Sequence, residues 1–124
     1  MELVFVYGTL RRGFHNHRLL QHAECLGEAQ TVEAFVLRSR PGGIPFVGRD
    51  LALSSIHGEL FRVDDQTLAH LDHLEGYRPE AHESSWYQRE RIAVRCHGER
   101  HTAWIYFNQD VTQPIVPHGD WARA

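Results

Sequence analysis

The sequence predicts a single α+β domain over residues 1–124, dominated by a mostly antiparallel sheet. The chain has 124 residues, of which 42% are hydrophobic and 23% charged, a composition sufficient for one packed core. Several short apolar or alternating runs are bounded by glycine, proline or aspartate, as strands are. Many short strands favour a sheet closed or half-closed into a barrel, and periodicity alone leaves an open sheet as the alternative.

The strands are predicted from runs of apolar and β-favouring residues. The first run, residues 3–7, is continuous and apolar, which is typical of a strand buried on both faces. Two prolines and two glycines predict a loop over 40–45, and His97-Gly98-Glu99 predicts a turn. The remaining predicted extended segments are 24–38, 56–63, 86–96 and 102–107.

One segment carries a clear helical pattern. Asp64-Asp65 is a typical N-cap, and Gly76 is a typical C-terminal stop, so we expect a helix over 65–75. Leu68, Leu71 and Leu74 recur at a spacing of three, and we expect them to face the core. A second, short helix is predicted near 16–22.

Charge and composition exclude several classes of function. The net charge is −3 with histidine neutral, which argues against nucleic acid and against an anionic membrane as partners. The N-terminus lacks the pattern of a signal peptide, so the expected location is the cytoplasm. The short charge runs 11–12 and 89–91 are predicted to be solvated. The oligomeric state is left open.

Ten histidines invite a metal hypothesis, which the spacing does not favour. His70 and His73 lie three apart on the predicted helix, yet no carboxylate or cysteine completes a familiar ligand set. We therefore expect surface or capping histidines and no metal site. His17 is the one nearest to a candidate functional motif, the glycine turn that follows the first strand.

Glu75 occupies an electrostatically poor position, the last residue of the predicted helix. The helix C-terminus carries about half a negative charge, which disfavours another anion by roughly 0.3–1 kcal/mol and raises the pKa of a carboxyl. Burial in a pocket would raise that pKa further, as a carboxylate base for an amine requires. The alternative is a solvated glutamate at a frayed helix end, neutralised by Arg78.

The turn Tyr7-Gly8-Thr9-Leu10 is the second candidate site. Glycine permits backbone angles closed to other residues, so a turn there can point successive N–H groups into one concavity. Such donors hold a carboxylate or a polarised carbonyl oxygen. An ordinary strand-ending turn is the alternative.

Four blocks occur in order along the chain: Val-Phe-Val-Tyr-Gly-Thr-Leu-Arg-Arg-Gly (4–13), Gly-Glu-Leu-Phe-Arg-Val-Asp (58–64), Leu-Asp-His-Leu-Glu-Gly-Tyr (71–77) and Tyr-Gln-Arg (87–89). Together they resemble the γ-glutamylcyclotransferase-like (AIG2-like) family, and within it the γ-glutamylamine cyclotransferase branch. Asn16-His17-Arg18 and Ile44-Pro45 favour that branch, whereas the segment 77–85 is longer than the link expected there.

The resemblance implies a small mixed or antiparallel β-barrel flanked by short helices. It implies a pocket that binds a small-molecule γ-glutamyl substrate and converts it to 5-oxoproline and a free amine, without a cofactor. Glu75 is then the general base, and the expected substrate-binding residues are Tyr7, Gly8, Thr9, Leu10 and Tyr87. Two alternatives stay open: a non-catalytic module that binds a small metabolite, and removal of a γ-glutamyl protecting group from a biosynthetic intermediate.

Overall fold

The computed structural model describes residues 1–8, 10–11, 15–41, 44–78, 80–81 and 87–120, except for the side chains of 15 and 16. The elements that can be bounded within these residues are seven strands, an α-helix and a 3-10 helix. The strands are β1 (Glu2–Val6), β2 (Glu24–Thr31), β3 (Val36–Arg40), β4 (Ile44–Gly48), β5 (His57–Val63), β6 (Gln88–Cys96) and β7 (Glu99–Phe107). The helix α1 covers Asp65–Glu75, and the 3-10 helix covers His15–Leu20.

Five of these strands close into a barrel in the order β1-β5-β2-β6-β7. The neighbours in that order pair antiparallel, and a parallel contact of Val4 with Trp104 joins β1 to β7. The antiparallel β3–β4 hairpin is attached outside this ring, where Val47 pairs with Phe107 of β7. The predicted barrel is confirmed, and it is mixed rather than purely antiparallel.

The strand β1 is buried on both faces, as its continuous apolar run predicts. Phe5 is fully buried and points into the barrel interior, which it shares with Leu60 and Ile105. Val4 and Val6 belong to a second buried cluster that lies between the barrel and α1. The barrel therefore has an inner core and an outer one, and α1 covers the outer core.

The β4 strand was not expected from the sequence. Its second residue is Pro45, which has no N–H to donate and is therefore a poor strand signal. The structure accommodates Pro45 because it lies opposite Ser39 in the attached hairpin, away from the point where Val47 meets β7. The segment predicted as extended over 24–38 likewise divides into β2 and β3.

The predicted bounds of α1 are confirmed. The Asp64 side chain accepts a 2.7 Å hydrogen bond from the Thr67 backbone N–H, which caps the first turn. Gly76 ends the helix with φ 68°, and the Tyr77 N–H donates to the Asp72 carbonyl at 2.8 Å. A left-handed residue at this point turns the chain sharply away from the helix axis.

One expectation for the α1 face is wrong. Leu68 and Leu71 are buried, whereas Leu74 is 41% exposed. A spacing of three falls about 60° short of a full turn, so the third leucine has rotated off the core-facing stripe. Glu75, which follows Leu71 by four residues, returns to that stripe.

Leu71 and Leu74 form a matched pair for testing this assignment. Leu71→Ala should lower the free energy of unfolding by about 2–5 kcal/mol, because Leu71 is fully buried and a cavity is left behind. Leu74→Ala, in the same helix with the same chemical change, should cost under about 1 kcal/mol. Urea unfolding midpoints measure both, and similar losses for the two variants would contradict the proposed helix face.

Candidate active site

A cavity of about 300 Å³ opens between the end of α1, the turn after β1 and the β3–β4 hairpin. Glu75 lines it from the helix, and Arg40, Ile44 and Pro45 line it from the hairpin. Of the residues expected at the site, the same cavity brings together Tyr7, Gly8, Leu10, Glu75 and Tyr87. Thr9 lies outside the described residues. Segments separated by as many as 80 positions in the sequence therefore meet at one concave surface.

Gly8 is required for a reason that differs from the expected one. The glycines with positive φ in the described chain are Gly27, Gly76 and Gly98, and Gly8 does not belong to them. A Cβ on Gly8 would instead lie 2.6 Å from the Cγ of Pro45, closer than real Cβ atoms approach. Gly8 thus lets the turn pack directly against the hairpin, and both elements reach the cavity.

His17 and Arg11 stabilise the turn through contacts that lie outside the cavity. The His17 ring Nδ1 lies 3.1 Å from the carbonyl oxygen of Leu10, and the same ring packs 5.8 Å from the ring of Phe61. Arg11 pairs with Asp120 at 2.9 Å, and the two side chains are only 9% and 14% exposed. The expectation that Arg11 is solvated is wrong, because the C-terminal segment returns over it.

Glu75 is a half-buried residue whose carboxyl is desolvated where it lines the cavity. Its pKa is raised from 4.5 to about 7, because burial penalises the charged form. That change corresponds to roughly 3 kcal/mol, several times the roughly 0.3–1 kcal/mol that a helix terminus supplies. Burial therefore dominates, and the field of Arg40 partly opposes it.

Three buried tyrosines surround Glu75 and stay neutral. Burial raises the pKa of Tyr7, of Tyr87 and of Tyr106, and the nearby Glu75 carboxylate adds to each shift. The Tyr7 hydroxyl donates to the Tyr106 carbonyl at 2.8 Å, and the Tyr106 hydroxyl donates to Asp72 at 2.7 Å. Because the protons of Tyr7 and Tyr106 are held in these bonds, Glu75 is the better candidate for proton transfer near neutral pH.

Asp72 joins the last turn of α1 to the barrel. One of its carboxylate oxygens accepts from Tyr106 of β7, and the other accepts from Arg89 of β6 at 3.0 Å. Burial raises the pKa of Asp72, and these two partners oppose the shift. The Arg89 guanidinium also lies over the rings of Tyr77 and Trp104, at 5.3 and 4.3 Å. The prediction of a solvated Arg89 is therefore wrong.

Arg40 is the site residue that the sequence did not reveal. It is the last residue of β3, and its guanidinium lies 5.8 Å from the ring centroid of Tyr87, to which it also hydrogen-bonds. Arg40 precedes a proline-glycine loop and belongs to none of the quoted motifs, so only the folded hairpin places it beside Glu75. Tyr106 also lines the cavity, as do Ile44, Pro45, His73 and Leu74.

The described residues contain neither a candidate metal site nor a candidate membrane-spanning helix. Within the described ranges, His, Cys, Asp and Glu side chains form no group of three that could hold a metal ion. No helix in the described part of the chain has the length and apolar character needed to span a membrane.

Comparisons with known proteins identify relatives across nearly the whole chain. The family described as "Gamma-glutamyl cyclotransferase, AIG2-like" matches residues 4–123. A Vibrio cholerae member is 39% identical over 124 residues, covering 98% of this chain and 96% of its own. The "Gamma-L-glutamyl-butirosin B gamma-glutamyl cyclotransferase" of Niallia circulans is 30% identical over 111 residues, covering 89% and 69%. The crystal structure of a mouse AIG2-like protein superposes with a TM-score of 0.78 at 29% identity, covering 94% and 86%.

The raised pKa of Glu75 predicts a stability effect that is independent of activity. A carboxyl whose folded pKa is raised stabilises the fold fully below its unfolded pKa, near 4.5, and this contribution is lost as pH rises through about 7. Glu75→Gln should therefore match the wild type near pH 4 and exceed its free energy of unfolding by about 2–3 kcal/mol at pH 8.

Urea unfolding at several pH values measures this difference. Glu80→Gln, at an exposed position in the segment that follows α1, is the matched control and should show no such pH-dependent gain. A Glu75→Gln variant that is no more stable than the wild type at pH 8 would contradict the burial of this carboxyl.

Proposed function

Because the chain belongs to the γ-glutamyl cyclotransferase, AIG2-like family, we propose that this cavity converts a γ-glutamyl amine or γ-glutamyl amino acid to 5-oxoproline, with Glu75 as general base. Family membership makes the chain an enzyme of the γ-glutamylcyclotransferase type rather than a metabolite-binding module. One observation carries the assignment of Glu75: it lines the same cavity as the turn that begins at Tyr7, where burial raises its pKa to about 7.

The proposed reaction needs no protein nucleophile, because the substrate supplies its own. The α-amino nitrogen attacks the γ-carbonyl carbon, a new C–N bond closes the five-membered ring, and the original amide C–N bond breaks. Glu75 accepts a proton from the attacking nitrogen and returns it to the leaving nitrogen. Since both reacting groups belong to one molecule, holding the substrate in its folded-back conformation supplies much of the rate enhancement.

The pKa of Glu75 suits this proton transfer. A glutamate with an ordinary pKa near 4.3 is mismatched by about 3.5 pKa units with an α-ammonium near 7.7–8. With its pKa raised to about 7, Glu75 is mismatched by only about one unit. The carboxylate is nevertheless substantially deprotonated at neutral pH, so a large fraction of the enzyme is ready to accept a proton.

The remaining predicted residues have supporting roles in this proposal. Backbone groups of the Tyr7–Leu10 turn hold the γ-glutamyl moiety or oppose negative charge on the γ-carbonyl oxygen. Tyr87 forms part of the wall, where Arg40 orients its hydroxyl. Tyr7 lines the same cavity, and its ring is held in place because its hydroxyl donates a hydrogen bond to the Tyr106 carbonyl.

A second candidate substrate class uses the same chemistry. The Niallia circulans relative is named as a γ-glutamyl cyclotransferase of γ-L-glutamyl-butirosin B. The cavity here opens at Ile44 and Leu74, which are 40% and 41% exposed, so a leaving group can extend beyond it. Turnover of γ-L-glutamyl-butirosin B at a rate above that of γ-glutamyl amino acids would favour this deprotecting role.

Loss of the base should abolish turnover without loss of the fold. We expect Glu75→Gln to lower kcat by about 10²–10⁴-fold, the usual contribution of a general base. The measurement is 5-oxoproline release from γ-glutamyl amino acids and γ-glutamyl-ε-lysine, with Glu80→Gln as the control that stays active. Full activity of a folded Glu75→Gln protein would remove Glu75 from the mechanism.

The pH profile provides a separate test of the same base. Because only the deprotonated carboxylate accepts a proton, kcat/KM should rise with pH through an inflection near 7 and then level off with respect to this group. The residual activity of Glu75→Gln should lack that inflection and keep any inflection that belongs to the substrate amine. An unchanged inflection in Glu75→Gln would assign it to another group.

A further inference from the structure

We propose that Arg40 pairs with the carboxylate of the leaving amino acid, which makes γ-glutamyl amino acids the preferred substrates over γ-glutamyl amines. This inference rests on the proposed function of the cavity. Arg40 carries the one guanidinium among the described residues that line the cavity. It belongs to none of the motifs quoted above.

The position of Arg40 indicates which end of the substrate it meets. The floor of the cavity is formed by Phe5, Val6 and Tyr7, which are buried, and the turn proposed to hold the γ-glutamyl moiety begins there. The β3–β4 hairpin, which lies outside the closed barrel, forms another wall of the cavity. Arg40 lies opposite Ile44 in that hairpin, and Ile44 is 40% exposed, so Arg40 is placed toward the solvent-exposed side of the cavity, where the leaving group would extend.

The mouth of the cavity matches the rest of such a leaving group. Ile44 and Leu74 line the cavity and are exposed to solvent, although both are large apolar side chains. An apolar mouth beside a half-buried cation is complementary to an amino acid that has an apolar side chain and a carboxylate. A simple amine would match the apolar mouth and bring no carboxylate from the leaving group to the cation.

The charge of Arg40 acts across the interior of the cavity. Its field lowers the pKa of Glu75, of Tyr7 and of Tyr87, three groups that surround the reacting centre. The leaving nitrogen must lie close to Glu75, which returns the proton, and its carboxylate is attached one carbon away. Arg40 and Glu75 thus line one cavity as a cation and an acid, the two groups that the carboxylate and the nitrogen of a leaving amino acid would meet. The planar guanidinium is also the side chain best suited to bind a carboxylate through two hydrogen bonds.

The test uses substrates that differ only in the leaving carboxylate. These are γ-glutamyl-leucine, γ-glutamyl-leucinamide and the γ-glutamyl amide of 3-methylbutylamine. We expect wild-type kcat/KM to favour γ-glutamyl-leucine by about 10–100-fold, which is the contribution expected from charge-assisted hydrogen bonds to a carboxylate.

The variants test whether Arg40 is the source of this preference. Arg40→Gln should bring the kcat/KM values of the three substrates to within about threefold of one another, because the same contribution is lost. Arg40→Lys should retain part of the preference, because it keeps the charge but not the planar fork.

The measurement is made at pH 9, above the pKa of about 7 of Glu75, and compares the ratios of kcat/KM among the three substrates within each variant. An altered base affects all three substrates alike, so it does not imitate altered binding of the leaving carboxylate. Arg49→Gln removes the same charge just beyond β4, outside this cavity, and should keep the wild-type preference. Thermal unfolding establishes that each variant is folded.

The outcomes separate this inference from the proposed function. An unchanged preference in a folded Arg40→Gln protein would overturn the role of Arg40 and leave the cyclotransferase assignment intact. An equal loss for all three substrates would place Arg40 on the α-carboxylate that they share, and would also overturn the inference. Absence of 5-oxoproline from every substrate with the wild-type enzyme would overturn the proposed function and this inference with it.

Discussion

The attachment of Asp72 to the barrel is the interaction on which the site depends. Asp72 is a buried carboxylate whose two oxygens are bound by Tyr106 and Arg89, from two neighbouring strands. A buried charge is tolerated only when it is paired and hydrogen-bonded, so the last turn of α1 has one favourable docking position. Glu75 follows three residues later in the same turn, and its orientation is fixed by the same contact.

Burial, rather than the helix terminus, gives Glu75 its chemical character. The helix end alone supplies under about 1 kcal/mol, whereas the pKa of about 7 requires several times more. Desolvation of this kind requires side chains that keep water away from the carboxyl, and the cavity is lined by the rings of Tyr7, Tyr87 and Tyr106. Since these tyrosines remain neutral, they exclude water without adding negative charge beside the carboxylate. The cost of burying Glu75 is then a loss of stability near neutral pH, which fits the proposed role of Glu75 as a base matched to an amine.

The sequence predicted the local features of this arrangement and missed the distant ones. The bounds of α1 follow from Asp64 and Gly76, because capping is determined within a few residues. The place of Leu74 was wrong because a spacing of three does not match the 3.6-residue turn. Arg40 and the contact of Gly8 with Pro45 could not be predicted, since both depend on how the β3–β4 hairpin meets elements more than 30 residues away. The pairing of Glu75 with the turn after β1 was inferred from family resemblance and not from periodicity.

Burial raises the pKa of Glu75 and the charge of Arg40 lowers it. The balance of these two effects has a consequence for the proposed reaction. In the unliganded enzyme the cation holds the pKa of Glu75 below the value that burial alone would give, so part of the population is deprotonated at neutral pH. In the proposed complex a substrate carboxylate shares the positive field of Arg40, and less of that field reaches Glu75. The carboxylate then becomes a stronger base when an ammonium group is beside it. This rise in the pKa of Glu75 needs no movement of the protein, because it comes from the charge of the substrate itself.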